Sequence, residues 1–351
     1  MPAYRELVVS EVLLERPGLT RVRLGDGSRA YALTSITGPL GVGDTVVVNT
    51  TAVDLGLGSG GWHVVHWNVT RGDWAEPGPG HLMKLRYTSL QADVGAGEEE
   101  GDLPDTSLEG APVVVAGVHS QVPAITAAIA RHRPGTRVSY VMTDGAALPL
   151  AMSDLVLAQR ERGLIIGTVT AGHAFGGDVE ALNVPAALAL ARHRLDAEVI
   201  VVAMGPGSAG TGSRLGFTAL EVAPALDAAA WLGGRPVACL RCSSGDPRPR
   251  HRPISHHTLT ALEATRSSVL VAQPPGIEAP RGSRHRWLPV DPGDPVELLA
   301  DAGIRVTTMG RSVAEDRIYF SAAAASGVLA ARLVDDDPAT REPVTAPEAE
   351  T

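Results

Sequence analysis

Leu164-Ile-Ile-Gly167-Thr-Val169-Thr-Ala-Gly172-His173-Ala-Phe-Gly176-Gly177-Asp178 is the stretch on which the fold turns. Residues 164–169 form a short apolar run, the pattern of a strand buried on both faces. Three glycines follow within six residues, and glycine lets a chain turn through positive φ and pass close to a ligand. A helical pattern then opens at Asp178, a residue type that caps helices. A strand, a glycine turn and a helix N-terminus in that order predict a binding turn at the carboxyl end of a parallel strand.

The same alternation extends on both sides. Strands are expected at 113–118, 138–142, 199–204, 237–240, 269–272 and 306–308. Helices are expected at 122–132, 153–162, 179–193, 218–232, 256–265 and 296–302, with Ser153 and Ser255 as N-caps. This is the signature of a doubly wound, mostly parallel α/β sheet with helices on both faces. A last helix, 313–334, carries Ser321-Ala-Ala-Ala-Ala-Ser-Gly327; small residues let helices approach closely, in a core or in a homodimer. Residues 1–70 differ. Five short strands separated by Arg16-Pro-Gly18, Gly25-Asp-Gly27 and Gly41-Val-Gly43, with no helix, predict a small β-barrel domain. The division expected is therefore a barrel at 1–70, a linker or excursion at 71–112 with a strand at 81–90 and a mobile loop at 93–110, an α/β domain at 113–334, and a disordered acidic tail at 335–351.

The charge of −9 over 351 residues is concentrated in two places. The tail and the acidic run 98–105 carry it, and the remainder is close to neutral. Neither nucleic acid nor a membrane surface is an expected partner. No transmembrane helix or signal peptide is expected. Cys239 and Cys242, the only cysteines, read as buried thiols, which points to a cytoplasmic protein. All basic residues but one are arginine, so Lys84 marks a position where a compact ammonium with a movable pKa could matter.

Chemistry-bearing residues gather at the predicted carboxyl ends of the strands. They include His119-Ser120, Thr143-Asp144-Gly145, and His173 with Gly176, Gly177 and Asp178. Further along come Gly205-Pro-Gly-Ser-Ala-Gly-Thr-Gly-Ser-Arg214-Leu-Gly216, Arg248-Pro-Arg-His-Arg252 and Ser255-His-His257. Gly205, Gly207 and Gly210 match G-x-G-x-x-G. Pro206 stiffens that turn, however, and the following strand ends in Arg241 rather than an acid. The loop therefore fits an anion cradle, with Gly212 and Arg214 added, better than a dinucleotide site. A purely structural glycine loop is the competing reading. The histidines and acids could hold a divalent metal, with His119, His173, Asp178 and His257 as the candidate ligands. Without metal, His173, His256, Asp144 and Lys84 are candidates for proton transfer. His119, Ser120, Gly176, Gly177 and Arg250 complete the expected ligand-binding set. No G-x-S-x-G elbow supports a serine nucleophile.

His81-Leu-Met-Lys-Leu-Arg-Tyr-Thr-Ser-Leu-Gln91, Gly117-Val-His-Ser-Gln-Val122, Tyr140-Val-Met-Thr-Asp-Gly145, Met204-Gly-Pro-Gly207 and Ser255-His-His-Thr-Leu-Thr260 resemble the bacterial family known as domain of unknown function 3866. The resemblance runs from the barrel to about residue 330 and implies no particular reaction. The expected function is an enzyme, hydrolase or transferase in type, acting on a phosphorylated or anionic small molecule. A non-catalytic small-molecule or nucleotide sensor and a structural homo-oligomer are the alternatives.

Overall fold

The computed structural model describes residues 2–78, 80, 82–99, 101 and 106–334; the acidic tail lies outside the described residues. The chain divides into two compact units, 1–95 and 96–351.

The first unit is a closed five-stranded barrel of β1 (Tyr4–Arg16), β2 (Leu19–Leu24), β3 (Arg29–Ala32), β4 (Thr45–Asn49) and β5 (Trp62–Asn68), in the order β1-β2-β3-β5-β4. Single-turn helices α1 (Thr34–Thr37) and α2 (Thr51–Asp54) flank β4 in sequence. Alternation supplies the core. Val46 and Val48 point inward from β4 and join Val9, Val22, Leu24, Ala30, Ala32 and Val65. The thirteen-residue β1 bends at two register shifts, between Val9 and Glu11 and between Val12 and Leu14, and so pairs with both β2 and β4. Such bulges are the usual means of closing a small barrel. The strand expected over 81–90 is only β6 (Met83–Lys84), paired with β7 (Ala92–Asp93). Between them Leu85 and Tyr87 adopt positive φ, which stops the strand; His81 lies outside the described residues.

The second unit is built on an eight-stranded, all-parallel sheet. In chain order it runs β8 (Pro112–Val115), α3 (Val122–His132), β9 (Val138–Thr143), α4 (Asp154–Glu161), β10 (Gly167–Ala171), β11 (Val179–Ala181), α5 (Val184–His193), β12 (Val199–Met204), α6 (Val222–Trp231), β13 (Arg235–Ala238), α7 (His256–Ala264), β14 (Leu270–Gln273), β15 (Arg286–Pro289), α8 (Pro295–Asp301), the hairpin β16 (Thr307–Thr308) and β17 (Arg311–Ser312), and α9 (Arg317–Val334). The sheet order is β11-β10-β9-β12-β8-β13-β14-β15. Apolar side chains fill a core on each face. One is shared with α3, α8 and α9, the other with α5, α6 and α7.

Three expectations need correction. First, the helix does not open at Asp178. The chain instead returns within residues 172–178 to lay β11 parallel to β10, with Val169 opposite Val179. So short a parallel return is unusual, and glycine makes it possible. Gly172 and Gly176 take positive φ, and a Cβ on Gly177 would stand 2.9 Å from the Thr170 backbone nitrogen. The helix starts only after Asn183, whose side chain accepts the Ala186 N–H at 3.0 Å. Replacing Asn183 with Ala is expected to cost about 1 kcal/mol of stability in urea unfolding, whereas Asp178 is no cap. Second, 306–308 is not a sheet strand but half of the β16–β17 hairpin; the eighth strand is β15, a partly exposed edge without an apolar run. Third, residues 96–99 and 106–110 are packed rather than loose. Leu108 is fully buried and donates its N–H to the Leu232 carbonyl. Residues 100 and 102–105 lie outside the described set.

α9 is long and apolar enough to cross a membrane by length and composition, but 72% of it is buried inside its own unit. Ala322, Ala323, Ala324 and Ala325 are wholly enclosed, and Gly327 presses on the α3 backbone. The small-residue face is therefore used within the core and does not offer a surface to a second copy.

Candidate functional site

The carboxyl ends of β9, β12 and β13 carry three loops that meet. The middle one, 205–216, leaves β12. It packs against the β9 loop, where the Ala147 N–H donates to the Pro206 carbonyl. A Cβ on Gly205 would stand 2.3 Å from the Ala147 carbonyl oxygen, so only glycine permits this approach. Further on, the loop folds on itself through Thr211 N–H to the Gly216 carbonyl and an isolated bridge between Gly210 and Phe217. The N–H groups of Gly207, Gly210 and Gly212 have no hydrogen-bond acceptor among the described residues. Such groups are what a backbone anion cradle uses.

One flank of this loop is rich in cations and histidine. Phe217 stacks on His257 at 4.0 Å with the rings nearly parallel, and a Cβ on Gly212 would lie 3.6 Å from Arg250 Nη1. His251, His256 and His257 have ring centroids 4.3–5.3 Å apart. Buried Arg241 places Nη1 3.2 Å from His257 Nδ1. Two carboxylates fix the loop that brings these groups in. Asp316 accepts from Ser243 Oγ, the Ser244 N–H and Arg311 Nε. Asp246 accepts from Arg248 at 2.8 and 2.9 Å, and those bonds hold it well below the usual carboxylate range. Burial and then the arginines push the histidines down, His251 to about 4 and His257 to about 3, so both are neutral at physiological pH. His256 is lowered for the same reasons.

The other flank is acidic. Glu221 closes the 3₁₀ turn before α6, and its Oε1 accepts from Thr143 Oγ1 at 2.5 Å. A Cβ on Gly145 would meet its carboxylate at 2.4 Å. Burial, with Asp144 nearby, raises Glu221 to about 7. A carboxyl group poised near neutrality is suited to general acid–base work. Asp144 accepts the backbone N–H of His173 at 2.9 Å, which ties the β10 turn to this flank.

The expected residues are therefore divided by the fold. Asp144 and His173 come together on the acidic flank. Gly210, Gly212, Arg250, His256 and His257 come together on the other, while Gly205 and Gly207 pack against the β9 loop at Ala146 and Ala147. Arg214 is paired with exposed Glu263 at 2.5 Å. His119 is not placed to ligate a metal. It is buried, its Nδ1 faces the Met204 carbonyl at 3.2 Å and its Nε2 lies 2.7 Å from Ser153 Oγ. Nδ1 must then carry the proton and Nε2 accepts, so neither nitrogen is left; burial lowers this ring to about 4. Asp178 is likewise committed, to Arg160 and to both the N–H and hydroxyl of Thr168 near the start of β10. Gly176 and Gly177 donate their N–H groups to Glu180 and to Thr170 Oγ1. Ser120 bonds the Tyr319 hydroxyl at 2.7 Å. Lys84 lies buried on β6 of the first unit. Cys239 and Cys242 are free, buried thiols whose pKa values burial raises, Cys239 to about 12.

Three participants escape a reading of the sequence. Glu221 sits inside an ordinary helical pattern, and nothing local announces that Thr143 and Asp144 will face it. Arg241 looks like a strand residue. His251 stands in the sequence beside the other strand-end histidines, but nothing there marks it as a ligand.

A family model described as "Protein of unknown function (DUF3866)" matches residues 29–327. No curated protein and no solved structure matches the chain.

Proposed function

The chain belongs to this family of proteins of unknown function, and we propose that its α/β unit is an enzyme that binds a phosphorylated or otherwise anionic small molecule and transfers a proton on it. The observation that carries this reading is the polarity across the glycine loop. The free N–H groups of Gly210 and Gly212 lie toward His257 and Arg250 on one flank, and Glu221, raised to about 7, stands on the other. The anion sits on the loop N–H groups of Gly207, Gly210 and Gly212, and Arg250 adds a charge-assisted bond. Glu221 gives or takes the proton at the end of the molecule away from its charge. Asp144 tunes Glu221 by like-charge repulsion and, through the His173 backbone, fixes the β10 turn beside it. His256 is the alternative proton carrier on the cationic flank.

Thermal shift against inorganic phosphate, sugar phosphates and nucleotides tests the binding half. Stabilisation is expected from phosphate-bearing compounds, and Arg250→Ala should weaken the best of them by about 10–100-fold, the usual loss for one charge-assisted bond. Absence of stabilisation by every anion in the panel would sink the proposal. Incubating the same compounds with wild type and Glu221→Gln tests the chemical half. Glu221→Gln should bind as wild type does and convert none.

A further inference from the structure

We propose that His251, His256 and His257 form a seat for one divalent transition metal of the zinc class. The rings reach one point from two places in the chain. His256 and His257 open α7, and His251 ends the one-turn 3₁₀ helix Pro249–His251 just before it. One nitrogen of each lies within 4.8 Å of the others. Tetrahedral zinc, with bonds of about 2.05 Å, needs its nitrogens roughly 3.3 Å apart. The set therefore closes by small side-chain rotations.

Two ring nitrogens of the cluster have no other employment. Nε2 of His251 and Nε2 of His256 are shut off from solvent and have no hydrogen-bond partner among the described residues. His251 as a whole is 1% exposed. Buried polar atoms without partners are rare in folded proteins, and a metal would satisfy both at once. The opposite nitrogen of His251 is already positioned as metal-binding rings require, with Nδ1 2.7 Å from Ser255 Oγ. The same hydroxyl oxygen accepts the His257 backbone N–H at 3.2 Å, so one serine holds the His251 ring and caps the helix that carries His256 and His257.

His257 is the contested ligand. Arg241 can only donate, so its bond to Nδ1 leaves the proton on Nε2. Metal loading takes Arg241 off this ring, and Asp246, 4.0 Å away, is its remaining partner. Arg241 thus competes with the metal. An all-imidazole set selects zinc, copper, nickel or cobalt over magnesium or calcium. Arg250 and Arg248 put positive charge beside the rings, so the fourth coordination position favours an anion. That last point rests on the anion-binding reading above; the metal seat itself does not.

The test uses the full chain stripped with a chelator and titrated with Co²⁺ alone, followed by its visible absorption and by competition with Zn²⁺. One Co²⁺ per chain with a strong tetrahedral spectrum is expected. His256→Ala should weaken binding by at least about 100-fold, and Ser255→Ala by roughly 10–100-fold, as lost outer-shell bonds do. Arg241→Met should bind more tightly, and His173→Ala should be unchanged. A folded wild type without the spectrum, or equal binding by His256→Ala, overturns the metal seat. Inorganic phosphate binding by the stripped protein is measured alongside. If it persists while Co²⁺ fails, only the metal is lost; if Co²⁺ binds and no anion does, only the anion reading is lost.

Discussion

Replacing Glu221 with Gln is expected to make the protein more stable than wild type at pH 8, by up to about 3 kcal/mol. The folded carboxyl titrates near 7 against an ordinary value of 4.5. Each pKa unit is worth about 1.36 kcal/mol, so the gap is worth roughly that amount. A raised folded pKa means the native state holds the proton more tightly than the unfolded state. Its contribution is therefore complete below pH 4.5, is lost as pH rises from 4.5 to 7, and is absent at pH 8. There the half-buried carboxylate beside Asp144 is a cost that Gln lacks, while Gln still accepts from Thr143. The histidines slope the opposite way, because rings with depressed pKa values lose stability as pH falls below 6.5. The difference between the Glu221→Gln and wild-type curves isolates the one group. It should grow from near zero at pH 4.5 to its full size by pH 8, a rise in Tm of roughly 6 °C or more. A difference curve flat across that window would remove Glu221 from acid–base chemistry.

Gly327→Ala is expected to destabilise by about 1–2 kcal/mol net, against the usual sign of such a change. In a helix interior, Ala for Gly ordinarily gains about 1 kcal/mol. Here α9 lies so close to α3 that a Cβ would stand 2.2 Å from the Ile125 carbonyl oxygen and 2.9 Å from the Ala128 methyl. The obstacle is backbone, not the end of a flexible side chain, so the helices must separate. Overpacking in a tight core costs about 1–3 kcal/mol and sometimes more, and here it exceeds the propensity gain. Gly327→Val should be worse. Denaturant midpoints read the effect directly; an alanine variant as stable as wild type would mean that the two helices can part freely.

What could be read from the sequence followed how local the cause was. Val199–Met204 and Val138–Thr143 declare themselves as buried strands, because burial on both faces demands unbroken apolar runs. Ser153 and Ser255 are caps as expected, since capping is settled within three residues. The β10–β11 return was hidden because a three-residue strand runs straight into the pattern of α5, although Asn183-Val-Pro185 does mark the true helix start. At the site, the glycine loop is legible as a loop, because close backbone approach leaves glycine behind. Which histidines meet is not. His119 looks as suitable as His251 in sequence, and only the packing of Ser153 and the Met204 carbonyl around it shows that its nitrogens are taken. Glu221 acquires its character from burial and from Asp144 just past β9, neither of which its own sequence neighbours announce.

The position of β12 bears on how the unit comes to fold. β8 and β9 are made first, yet they do not pair with each other; β12 pairs with both and lies between them. As the chain leaves the ribosome, two of the most apolar strands must wait with open edges until residues 199–204 have been synthesised. Non-local parallel pairing of this kind is slow, and unpaired strand edges are prone to wrong partners. The centre of the sheet, where the three loops converge, therefore closes late, and the cleft exists only once that strand has been inserted.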